Sequence, residues 1–575
     1  MHPAQTANLA LLLTQTAKLF PDRAGLIQGD TSWTWGEIEQ RVAAMTAALR
    51  ALGLQKGDRL LVHSRNHRAM FESCWAAFRL GCVWVPTNFR LAPPEVAYLA
   101  ASSGAVAMIA EDVFPAHVDA ARDASPALRH VIAIGRPREG ELAYDGLLAT
   151  HRMAPRAAAE AATNATADAM SDAADVDAPS GCLADAVAQA DATRAAITAA
   201  ALAPASAHEV VTHDDPLWFF YTSGTTGRPK AGILTHGQMA FVVTNHLADL
   251  IPGTDESDCS IAVAPLSHGA GIHALLNVAR GAPTVLLEGE KMDPAIVWAL
   301  IERHRVTNLF TVPTIVKLLV EHPAVDEFDH SSLKFLIYAG APMYRADQQL
   351  ALRKLGPVLV QYFGLGEVTG CITALPRHMH HVDDDHPDAN VGACGRPRTG
   401  MEVAVLDASG VPLLVGEIGE ICCRGPAVFA GYHDNPEATA KALRGGWFHT
   451  GDLGRLDARG LLYITGRESD MYISGGSNVY PREVEEVLLT HPGVAEVAIV
   501  GLPDAKWGEI GAAVVVRRAG FEALDEAALL AHLDGRSARY RWPHRWHFWA
   551  ELPKSGYGKI LKREIKECLL TAEAP

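Results

Sequence analysis

The strongest constraint on the fold is a rhythm of amphipathic helices and apolar strands that starts near the N-terminus and runs to about residue 375. In "TWGEIEQRVAAMTAALRALG", Thr34 and Glu37 have the spacing of a helix N-terminal capping box. Ile38, Val42, Met45, Leu49 and Leu52 then recur on one helical face, Gly53 stops the helix, and "DRLLVHS" follows as a strand. Strand–helix alternation sustained over hundreds of residues predicts parallel sheets covered by helices. At 575 residues the chain exceeds what one core can serve, so more than one domain is expected.

Two changes of texture divide the rest. From about Met153 to Ala207 the chain is mostly Ala, Asp, Thr and Ser, with almost no large apolar side chains to bury. Such a segment reads as a surface insertion, disordered or frayed helix, without chemistry of its own. After residue 395, "MEVAVLDASG", "GEIGEICCRG" and "LGRLDARGLLYITGR" read as strands with turns at Ser409-Gly410 and Arg459-Gly460, a small antiparallel sheet. A boundary is expected near Arg467. Beyond it Pro481 opens a helix with Val484, Val487 and Leu488 inward, and further strands and a basic C-terminal helix complete a unit of about a hundred residues.

Composition narrows the class of function. Apolar residues make up 49% and charged residues 20%, as in ordinary globular proteins. A net charge of −16 disfavours non-specific binding to nucleic acid or anionic membrane. Nine scattered cysteines without a CxxC pair read as reduced thiols of a cytoplasmic protein. The apolar run Leu9–Leu13 lacks a basic flank, and nothing approaches the roughly 18 uninterrupted apolar residues of a membrane span.

The chemistry concentrates in "YTSGTTGRPKAG", Tyr221 to Gly232. A Walker loop needs GxxxxGK[ST] with its lysine opening a helix. Here Gly224, Gly227 and Lys230 give GxxGxxK, and Pro229 keeps Arg228 extended, so the loop leads into the strand "KAGILTH". What remains is a glycine loop whose hydroxyls on Thr222, Ser223, Thr225 and Thr226 can bind phosphate oxygens.

With "PLSHGAG", "YAGAP", "QYFGLGEVTG", "GWFHTGDLG", "ITGRESDMYISGGSNVYPREVE" and "PKSGYGKILKRE", in that order, the chain resembles the acyl-adenylate-forming superfamily, on its acyl-CoA synthetase branch. The likeness covers nearly everything but the alanine-rich insertion. It implies an α/β fold: a large N-terminal domain (1–466) of helix-covered sheets with a small β-rich subdomain, and a small mobile α+β domain (467–575). It implies ATP, Mg²⁺ and coenzyme A. A carboxylate attacks the α-phosphorus of ATP to give acyl-AMP and pyrophosphate, and the CoA thiol then displaces AMP.

By the same likeness, residues 222–227 and Lys230 surround the β- and γ-phosphates. Glu367 holds Mg²⁺ through hard carboxylate oxygen, as phosphate-bridging cations require. Phe363, with Gly364 beside it, stands where an aromatic ring stacks on adenine, and Gly340, Ala341 and Pro342 line its other side. Asp452 accepts from the ribose hydroxyls, and Arg467 reaches the ribose from the boundary. His268 lines the acyl pocket. Lys559, which follows the pliable glycines 556 and 558, serves the α-phosphate during adenylation, and Ser474, Gly475 and Gly476 belong to the pantetheine-side loop used after the small domain turns.

Two positions depart from the family pattern. Gly366 replaces a threonine whose hydroxyl contacts the α-phosphate, a charge-assisted hydrogen bond worth about 1.5–3 kcal/mol; the glycine weakens adenylation or widens the acyl pocket. Ser469 stands at the hinge, where lysine or aspartate is usual. Two tempting clusters carry less. "RHMHHVDDDHPD" has metal-ligand residue types but no spacing that aims them together. "RSARYRWPHRWHFW" interleaves bases and aromatics, yet reads as a packed domain surface in so acidic a chain.

The sequence thus predicts an ATP-dependent carboxylate–CoA ligase acting on a small-molecule carboxylic acid that the sequence does not specify, with catalysis assigned to Lys559, Glu367 and His268. Loading of a carrier protein and non-catalytic nucleotide sensing are the alternatives, and a homodimer is left open. Replacing residues 153–207 by a short linker should leave activity and melting temperature nearly unchanged, since longer surface loops add little closure entropy. A cooperative loss of folding would show instead that the segment packs.

Overall fold

The computed structural model describes residues 5–151, 208–222, 228–289, 292–341, 343–554 and 560–572. Among them two large sheets dominate. The first has seven strands, ordered Lys230–Thr235, Pro216–Thr222, Val83–Thr87, Arg59–His63, Ala107–Glu111, His130–Ile134 and Leu142–Ala143. All its pairings are parallel except the antiparallel pair of the first two strands. The second has nine, with Leu359–Phe363, Phe335–Tyr338, Asn308–Thr311, Ser260–Ala262, Thr284–Leu286 and Ala24–Gln28 parallel at its centre and antiparallel pairs at its edges.

Side-chain alternation along the strands sorts the core into layers. Leu60 and Val62 join the main core between the two sheets, whereas Leu61 faces the opposite side with Val83, Val85 and Val96. Likewise Ala262 and Ile337 point into the main core, and Ile261 and Leu336 point outward to Trp298 and Val316. Four helices, Trp35–Ala51, Arg68–Leu80, His236–Asp249 and Gly269–Val278, fill the space between the sheets. Outer helices close the far faces, giving five alternating layers of helix and sheet. The Thr34–Glu37 capping box is present as expected, and Ile38, Val42, Met45 and Leu49 are fully buried.

The strands after residue 395 form an antiparallel sheet of Glu402–Leu406, Gly419–Arg424, Phe448–Leu456 and Leu462–Arg467. Its turns place Gly410 and Gly460 at φ +80° and +76°, a region that favours glycine. A separate five-stranded sheet, centred on the long pair Val494–Asp504 and Gly508–Arg517, builds the small C-terminal domain with helices Pro481–Leu489, Glu526–Leu533 and Lys562–Ala572. The aromatic-basic stretch becomes the strand Arg545–Trp549, with Trp546 and Phe548 packed on the core and Arg517 over the Phe548 ring at 3.8 Å. Seven of the described cysteines are buried free thiols and Cys568 is exposed. No helix among the described residues is long and apolar enough to cross a membrane.

Several imidazoles are buried in the interior. Burial lowers His63 to about 3, and His236, His273 and His380 to about 4, and it holds His246 well below its ordinary value. In the unfolded chain these groups titrate near 6.5, so between those values the unfolded state binds more protons and stability falls as pH falls. The contribution is therefore full above about pH 6.5 and drains away toward about pH 4. Urea midpoints measured from neutral pH downward should fall progressively across that window, and a flat profile would contradict the neutral buried histidines.

Candidate functional site

The described part of the glycine loop ends at Thr222 and resumes at Arg228; Ser223 to Gly227 lie outside the described residues, as do Pro342 and Lys559. At the start of the loop, Thr222 reaches Glu367. This carboxylate is buried in the short turn Gly366–Val368 that follows strand Leu359–Phe363. Its Oε1 accepts from the Thr222 hydroxyl at 3.2 Å and from the Tyr432 phenol at 2.8 Å. Burial, reinforced by the charge of Glu367, pushes the Tyr432 phenol far up, so it remains a donor. Lys230 sits with its ammonium 5.5 Å from the centre of the Tyr432 ring.

The backbone fixes these partners as firmly as the side chains do. The segment 429–433 lies along the edge strand Lys230–Thr235: Ile233 donates to the Gly431 carbonyl, Ala430 to that of Ile233 and His433 to that of Ala231. The Phe429 amide donates to the carbonyl of Glu367 at 2.8 Å. Tyr432 was not singled out by sequence reasoning. Only its position after the "CCRGPAVFAGY" turn would have marked it.

His268 caps the start of helix Gly269–Val278 and packs its ring edge-on against Phe220, with centroids 4.4 Å apart. Burial lowers its imidazole to about 4, which makes it neutral at physiological pH. The next residue, Gly269, is pressed by Phe310, whose ring would lie 2.5 Å from an added Cβ; Phe310 in turn stacks on Tyr362. Gly366 does not open into empty space. A Cβ there would stand 2.6 Å from two carbons of the Phe220 ring and 3.0 Å from Thr222 Cγ2. The expected room for a wider acyl pocket at this glycine is thus already filled by a phenylalanine.

Asp452 is buried on strand Phe448–Leu456, directly across from Arg467 on the next strand, with Oδ1 3.1 Å from Arg467 Nε. Phe363 packs toward the same small sheet, beside Val405, Ile421 and Leu462. Gly364 passes so close to Gly370 that a Cβ would meet its Cα at 2.5 Å, which explains a glycine there on packing grounds. Gly340, at φ +83°, turns the chain out of strand Phe335–Tyr338, and Ala341 follows it.

Three metal-ligand residue types, Glu420, Cys422 and His449, gather within 4.8 Å. Their donors are already engaged: Glu420 Oε2 is bonded to His449 Nδ1 at 2.7 Å and Arg444 at 2.8 Å, and Oε1 accepts the Gly451 amide. Burial and the neighbouring Glu420 push the Cys422 thiol up to about 12. The cluster fastens His449 and Gly451, on the strand that carries Asp452, to Glu420 of the neighbouring strand. In the histidine-rich loop, His380 turns inward to Tyr338 while His381 and His386 stack on each other, so its donors do not converge.

In the C-terminal domain, Ser474, Gly475 and Gly476 form the tip of a hairpin, with Gly475 donating to the Trp507 carbonyl and lying against the indole. Ile473 and Trp507 beside it are exposed. The ends of the Lys559 loop are fixed by a bridge between Lys554 and Ile560, and Lys554 pairs with Glu496. The adjacent Ala495 carbonyl accepts from Lys317, on helix Pro313–Glu321 of the large domain. Ser469 is exposed, bonded only to neighbouring Asp470 among the described residues.

A family model described as AMP-binding enzyme matches residues 13–433, and one described as AMP-binding enzyme C-terminal domain matches residues 483–559. A feruloyl-CoA synthase of Amycolatopsis sp is 35% identical over 554 residues, covering 96% of each chain. A long-chain-fatty-acid–CoA ligase of Mycobacterium tuberculosis is 31% identical over 562 residues, covering 97% of this chain and 98% of the relative. The solved structure of an anthranilate CoA ligase in complex with anthranoyl-AMP superposes with a TM-score of 0.81 at 23% identity over 98% of both chains, a likeness of fold.

Proposed function

The chain belongs to the AMP-binding enzyme family, and on that premise we propose how its residues divide the work of an ATP-dependent carboxylate–CoA ligase. The observation that carries the assignment is the buried Glu367 held by Thr222 and Tyr432 at the mouth of the glycine loop. No described residue bonds its Oε2, and a carboxylate oxygen at a phosphate loop suits a hard divalent cation. Mg²⁺ bound there supplies charge neutralisation at the phosphates.

The first half-reaction joins two anions: a carboxylate oxygen forms a bond to the α-phosphorus as the bond to the bridging oxygen breaks and pyrophosphate leaves. The protein's task is to position the reactants and stabilise the charge. Lys230 and the loop donors hold the departing phosphates. Asp452, set on a rigid strand and oriented by Arg467, accepts from the ribose diol. Phe363 offers a ring face to adenine. Neutral His268 contributes a wall and a hydrogen-bonding ring without adding charge. Lys559 brings the cation that the α-phosphate needs, on a loop carried by the small domain.

In the second half-reaction the CoA thiol attacks the acyl carbonyl, the bond to the AMP oxygen breaks, and AMP leaves. The hairpin tip Ser474–Gly476, with exposed Gly475 and Gly476 beside Trp507, is the face we assign to pantetheine after rotation near Ser469. A domain boundary near residue 467 follows from this cycle. The buried thiols fit a reducing, cytoplasmic setting.

Lys559→Ala should nearly abolish acyl-AMP formation from ATP and acid while leaving thioester formation from supplied acyl-AMP largely intact. Rapid-quench measurement of the two half-reactions decides this. Equal losses in both would remove the two-state role of the lysine.

A further inference from the structure

Strand Pro216–Thr222 alternates its side chains between two environments. Phe219 belongs to the outer core with partly buried Tyr221 packed on it, while Trp218 and Phe220 face the main core. Thr222, two residues on, shares their face and reaches Glu367. Phe220 therefore stands one step behind the phosphate-side hydroxyl, on the line leading from Glu367 into the protein. One side of its ring occupies the space over Gly366, and its centroid lies 4.4 Å from that of His268. On the far side of the His268–Gly269 turn stand the stacked rings of Phe310 and Tyr362.

We propose that Phe220 is a specificity-determining residue of the acyl site, coupled sterically to Gly366, and that this pair selects acids that are flat at the carbon bearing the carboxylate. The proposal rests on the ligase reading, because it places the acyl carboxylate between Glu367 and His268. Aromatic rings are rigid and present flat walls, and they pair favourably with other rings edge-on or offset. A planar aryl or α,β-unsaturated acid can lie along the Phe220 ring. A tetrahedral, branched α-carbon needs the volume that the ring already fills.

The pairing also accounts for the glycine. A side chain at 366 and the ring at 220 cannot both keep their places, since an ordinary Cβ does not approach ring carbons to 2.6 Å. Gly366 is therefore required by Phe220. Each substitution alone disturbs the site, and the two together relieve each other, as expected of residues in direct contact.

The test uses the full-length protein with ATP, Mg²⁺ and CoA, measuring kcat/KM by AMP release. The panel contrasts benzoate and cinnamate with 2-phenylpropanoate and 2-methylbutanoate. Phe220→Ala should shift the ratio of branched to flat acids by about tenfold or more, the scale set by a methyl group or two in a tight pocket. The KM for ATP should stay within about twofold, since the substitution leaves the Thr222–Glu367 contact in place. Gly366→Thr should lose about tenfold or more with every acid through overpacking, and Phe220→Ala/Gly366→Thr should regain most of that loss. A double variant no better than Gly366→Thr, or a Phe220→Ala variant that lowers all acids equally, would overturn the proposal. Should Gly366→Thr fail to fold, the ratios for Phe220→Ala and Phe220→Leu decide alone. Absence of CoA-dependent AMP release by the unmodified protein across a broad panel of acids would instead strike the ligase reading itself.

Discussion

The hydrogen bonds converging on Glu367 tie the molecule together. Thr222 comes from the seven-stranded sheet, Glu367 from the turn after a strand of the nine-stranded sheet, and Tyr432 from the segment that follows a strand of the small antiparallel sheet. A buried carboxylate without such partners would be costly, whereas one accepting two hydroxyl donors is held in place. Three sheets thus meet at one buried carboxylate beside the glycine loop. The backbone bonds of 429–433 to strand Lys230–Thr235 lock the same junction, so the orientation of Glu367 depends on all three sheets being present.

Much of this was legible in the sequence, for physical reasons that differ by element. The first large helix was readable because capping chemistry and a 3.6-residue apolar period agree, and the structure shows both. The turns at Gly410 and Gly460 were readable because a left-handed backbone selects glycine. Leu52, placed on the helix face by periodicity, sits at the helix end and is only partly buried. The site was legible only through ordered motifs, since Thr222, Glu367 and Asp452 lie far apart along the chain. Tyr432 and Phe220 carried no such mark. A phenylalanine in an apolar strand looks like core from sequence, and its contact with Gly366 exists only once two sheets meet. Gly366 itself was visible as a departure, but its neighbour was not, so the space it leaves could not be assigned.

Electrostatics around the site are arranged mostly by burial. His268 is neutral because its ring is desolvated, and Tyr432 stays protonated through desolvation reinforced by the charge of Glu367. Glu367 is buried beside them, and Asp452 and Arg467 form a separate pair on adjacent strands. On the proposed reading, positive charge at the phosphates comes from Lys230, which lies on an edge strand, and from Lys559.

The central claim is that a carboxylate oxygen becomes bonded to the α-phosphorus of ATP at this site. Supplying an accepted acid with heavy oxygen in its carboxyl group and following the label by mass spectrometry tests it directly. Transfer of one labelled oxygen into AMP, with none in pyrophosphate, is the result predicted. Label appearing in inorganic phosphate alongside ADP would mean attack at the γ-phosphorus and would contradict the account.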